Sequence, residues 1–204
     1  MAQNRKMIAD RLTGILKDTR SEYANLQERD RVEQARAGAE SIQTRGFAFK
    51  EIAAEADALV GRAADKALGI IDSEIEAAGG ALVEAPSAEA VAYVSTIAAR
   101  SNLSADEVAA GLSRYRDHAS QKAIKAAAVR SGLQQFGGTT AAEDYISDLR
   151  SLRDDVAKTY TAGFGGISEG YAAVLAGGYQ AFADNPGSGG DALAAFAGME
   201  NLGE

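Results

Sequence analysis

Cysteine is absent from this 204-residue chain, histidine occurs once and proline twice. Without cysteine there is no disulfide framework, no thiolate metal site and no cysteine nucleophile. His118 has no second histidine with which to form a His-x-x-x-His metal pair. Arg114 and Lys122 flank it one turn away, so it reads as a solvated face residue rather than a general base. The N-terminus, MAQNRKMIADRL, lacks the apolar core of a signal peptide. No uninterrupted apolar run reaches the ~20 residues of a spanning helix. The chain is therefore expected to be made in the cytoplasm and to be soluble when made. Aromatic residues are only 6% of the chain, and alanine dominates the apolar side chains. Few bulky groups over this length mean a thin core, with surface buried between helices or between subunits.

Positive charge is scarce where it would matter for phosphate. The net charge is −8, and it is graded. Residues 1–50 carry 10 Lys/Arg against 7 Asp/Glu, whereas residues 134–204 carry 3 against 10. Duplex binding needs clustered cations that release counterions, so direct nucleic-acid binding is not expected. Phosphate-loop signatures fail as well. The letters G-x-G-x-x-A occur at 187–192, but they follow Asn185-Pro186 with no preceding strand and read as a linker. Neighbouring acids such as Glu143-Asp144 and Asp154-Asp155 point apart on a helix, so they do not form an acid–base pair. No catalytic, cofactor-binding or metal-binding residues are assigned, and an enzyme is not expected.

Helical patterning is what the chain has in abundance. Strand signals are nearly missing, and the expected fold is all-α and elongated. A long N-terminal helix is expected over 1–80, continuous or kinked, with 38–46, between Gly38 and Gly46, as the place where a kink or break would fall. Gly79-Gly80 is a stop signal for it. A helical hairpin is expected over 81–136, in which Ser87 caps a helix to about Arg100. The capping box Ser104–Glu107 then opens one helix from Ala105 to about Ser131. A second capping box, Thr140–Glu143, opens a helix within 137–160, and 161–204 is a Gly/Ala-rich tail. On the polar face of the long helix, Arg29 and Glu33 are spaced as a favourable i,i+4 pair.

Two patterns are candidates for function. Phe49, Ala53, Ala56, Val60, Ala64, Ala67, Ile71 and Ile75 repeat every 11 residues, which favours a straight or slightly right-handed packing seam. The stripe fits either the core face of one bundle or an oligomer seam between copies. Later segments offer it few bulky partners, which points to a homo-oligomer. The tail holds 11 of the 22 glycines, and no Lys or Arg follows Lys158. Residues 159–183 carry Glu169 as their only charge. Gly166-x-x-x-Gly170 and Ala173-x-x-x-Gly177 allow close helix approach. Phe164, Tyr171, Val174, Leu175, Tyr179 and Phe182 supply the bulk. This segment either closes the core, packs in a larger assembly or makes membrane contact through 159–183.

The layout is similar to that of the small internal virion proteins, or ejection proteins, of short-tailed bacteriophages. The likeness lies in YANLQERDRVEQARAGAESIQTRG, in the helical middle and in GFGGISEGYAAVLAGGYQAF. It is one of composition and position over much of the chain. The resemblance implies a non-enzymatic virion component kept in the head beside portal-proximal virion proteins. Such proteins leave with the DNA and help to build a conduit across the host envelope. The rival expectations are a cytoplasmic coiled-coil adaptor or scaffold, and a phasin-like coat on an apolar granule.

Overall fold

A computed structural model describes residues 2–36, 42–161 and 169–184, and every regular element among them is helical. The order is α1 (Ala2–Arg36), α2 (Ile42–Leu82), α3 (Ala88–Ala98), α4 (Ala105–Arg114) and α5 (His118–Arg130). A 3₁₀ turn at Gln134–Phe136 follows, then α6 (Ala141–Thr161) and α7 (Glu169–Asp184). The all-α fold class and the long N-terminal helix read from the sequence are what the structure has. Residues 37–41, which overlap the expected kink region 38–46, lie outside the described residues, and α2 is helical through Gly46.

The chain divides into two compact units, residues 1–73 with 148–204, and residues 74–147. In the first, four helices each turn an apolar stripe inward at steps of three and four. α1 contributes Ile8, Leu12 and Leu16, and α2 contributes Ile52, Ala56, Leu59, Val60, Ala63, Ala67 and Ile71. From α6 come Leu149, Leu152, Val156 and Tyr160, and from α7 Leu175, Tyr179 and Phe182. Each large apolar side chain so buried stabilises the fold by about 1.5–3 kcal/mol. The bulky residues of α6 and α7 belong to the same compact unit as the α2 stripe. Arg153 of α6 also reaches Asp72 of α2 at 2.6 Å. Arg29 of α1 bonds Glu55 of α2 at 2.5 Å instead of its own helix neighbour Glu33.

In the second unit, α3 and α4 both pack against α5. Ile97, Leu103, Val108, Tyr115 and Ile124 form the centre of its core. The rings of Tyr93 and Tyr115 lie 5.0 Å apart at 36°, an offset geometry that adds to plain burial. All three expected caps form. Ser87 accepts from the Ala90 N–H, and Ser104 with Glu107 and Thr140 with Glu143 make reciprocal capping boxes.

Two boundaries differ from expectation. The helix foreseen over 105–131 is broken, because Tyr115 is extended and Asp117 caps α5 by accepting from the Ser120 N–H at 2.8 Å. α2 also continues through Gly79-Gly80 to Leu82, so these glycines form its last turn rather than its stop.

Asp117→Ala removes the α5 cap and should cost about 1 kcal/mol. Gly111→Ala should cost about 1–3 kcal/mol, since an added Cβ would lie 2.6 Å from the Tyr93 hydroxyl oxygen. Urea unfolding checks both, and an unchanged midpoint in either variant contradicts the packing described.

Candidate functional site

The tail helix α7 lies against α1, and the residue that fastens it is Arg5, which is 3% exposed. Its guanidinium sits over the Phe182 ring at 4.9 Å, and Nη1 donates to the Phe182 carbonyl at 3.5 Å. The other terminal nitrogen, Nη2, donates to Asp148 Oδ2 of α6 at 2.5 Å. Phe182 is in the last turn of α7, where carbonyls have no partner within the helix and the dipole favours a cation. α7 has no basic residue of its own in that turn. Arg5, 177 positions earlier, supplies the missing charge.

Leu175, Tyr179 and Phe182, three of the tail residues singled out from sequence, are buried in this seat. Gly170, Tyr171 and Val174 belong to α7, but their side chains lie outside the described set. Phe164 and Gly166 lie outside the described residues. Beside the seat, the buried Tyr179 and Tyr160 hydroxyls interact with each other, and neither has another partner among the described residues. Burial raises the pKa of both phenols above the ordinary value, so they stay protonated. Partial burial likewise raises that of Asp155, whose Oδ1 is unpartnered.

The 11-residue stripe on α2 divides. Ala56, Val60, Ala67 and Ile71 are buried inside the first unit, Ala53 is exposed, and Ala64 and Ile75 are partly covered. The Phe49 side chain lies outside the described set. The buried face proper runs Ile52, Ala56, Leu59, Ala63, Ala67 and Ile71. Four of the eight stripe residues, Ala56, Val60, Ala67 and Ile71, thus belong to the core face of the first unit.

His118 also departs from the sequence reading. It is the first residue of α5, and its side chain is 13% exposed. Nδ1 lies 2.9 Å from Thr140 Oγ1, and Nε2 lies 3.8 Å from Glu143 Oε1, which Lys122 approaches at 3.3 Å. Because α4 ends at Arg114, that arginine does not share a helix with His118, and the wet face inferred from it does not form. Thr140 is buried and its hydroxyl is bonded both to His118 and to the Glu143 N–H. The arrangement is a clasp at the start of α6, not an accessible nucleophile.

A further cavity of about 680 Å³ opens between α1 and α2. It is lined by Glu28, Arg29, Glu33, Arg36 and Glu51 over Val32 and Ile52. Arg29 is bonded to Glu55 and Arg36 to Glu33, so its cations are already neutralised. Among the described residues there is no cluster of acids and histidine fit to hold a metal, and no helix long and apolar enough to cross a membrane.

Two expected outcomes follow from these contacts. Arg5→Met should cost about 3–5 kcal/mol by removing the cation paired with the buried Asp148 carboxylate, and adding Asp148→Leu should restore most of it. Denaturant unfolding of the single and double variants measures this, and a loss below about 1 kcal/mol for Arg5→Met contradicts it. The second concerns acid. Arg100 and the Ser104 N–H hold Glu107 down from 4.5 to about 2, and the Thr140 N–H and Lys122 lower Glu143. A carboxylate with a depressed folded value stabilises fully above its unfolded value and loses that contribution as pH falls. The thermal midpoint should therefore drop as pH falls from 4.5 towards 2, and Glu107→Gln should flatten that slope. An unchanged slope in the variant would count against the Glu107 contacts.

Comparison with family models, with curated proteins and with solved structures finds no match.

Proposed function

We propose that this chain is a non-enzymatic structural component of a virion, of the internal or ejection kind found in short-tailed phages. Its tail helix is kept folded against α1 until the particle delivers it. The observation that carries the reading is the Arg5 seat. A tail with no cation after Lys158 is closed by a charge borrowed from the opposite end of the chain. A helix fastened this way can be let go by disturbing a small contact set rather than by dismantling its own fold.

Released, the tail would offer Leu175, Tyr179 and Phe182 to another virion protein near the portal or to the host membrane. Its small residues would let copies approach closely there. Association between copies would then run through the tail, since α2 uses its stripe internally. Glu169 opposes insertion by a lone helix, so membrane contact should involve several copies sharing a polar interior.

Dye release from vesicles containing anionic lipid tests this with the full chain. Release should rise more steeply than linearly with protein concentration. Arg5→Lys keeps the charge but loses the planar stacking and fork geometry, so it should leak vesicles at lower concentration than the native chain. Negligible release by both proteins at every concentration contradicts the delivery role of the tail.

A further inference from the structure

We draw no further inference here: the strongest candidate, the uncharged outward face of α3 where Ala88, Val91, Ala92 and Ser95 are exposed, carries nothing because nothing in the structure shows what covers it.

Discussion

A buried arginine has to be satisfied on all sides, and in the first unit Arg5 is satisfied by two other helices. Asp148 of α6 takes one end of the guanidinium, while the Phe182 ring and carbonyl of α7 take the rest. None of these partners is local in sequence. The closing helix is therefore positioned by a charge requirement as well as by area, and α1, α6 and α7 are interdependent. Area alone would be a weak specifier here. Much of the inward face of α2 is alanine, and alanine stripes can slide or rotate against one another at little cost.

The second unit solves the same problem by local means. Its three helices are short and start at side-chain caps from Ser87, Ser104 and Asp117. Its small core is set by the stacked Tyr93 and Tyr115, with Gly111 making room for Tyr93. The His118–Thr140–Glu143–Lys122 clasp fixes the start of α6 with polar contacts around the buried Thr140. One chain thus holds a half ordered by capping and conformational constraint, and a half ordered by long-range packing around a buried ion pair.

What could be read from the sequence follows that division. Capping boxes are short-range chemistry, so Ser104–Glu107 and Thr140–Glu143 were visible as letters and appear as hydrogen bonds. Asp117 was not, because a continuous helical pattern runs across RYRDHASQ and hides the extended Tyr115. Ala56, Val60, Ala67 and Ile71 of the stripe on α2 are buried in the first unit, and Ala53 is exposed. Alanine on every face makes the apolar period ambiguous, and Ile52, Leu59, Val60 and Ile71 are the bulky residues that mark the buried face. The weight of Leu175, Tyr179 and Phe182 was legible as bulk in a glycine-rich segment. Arg5 was not, since its partners lie 143 and 177 positions away and no local spacing rule reaches them.

The central claim is that α7 is held on α1 through Arg5, and a distance measurement addresses it directly. The chain has no native cysteine, so spin labels can be placed cleanly through Asp10→Cys on α1 and Ala173→Cys on α7, both exposed positions. Pulsed electron spin resonance on the full chain should give one short, narrow distance, consistent with helix axes about 8–10 Å apart. It should broaden and lengthen when Arg5→Met is added. A long, broad distribution in the parent, or a short distance indifferent to Arg5, would contradict the account.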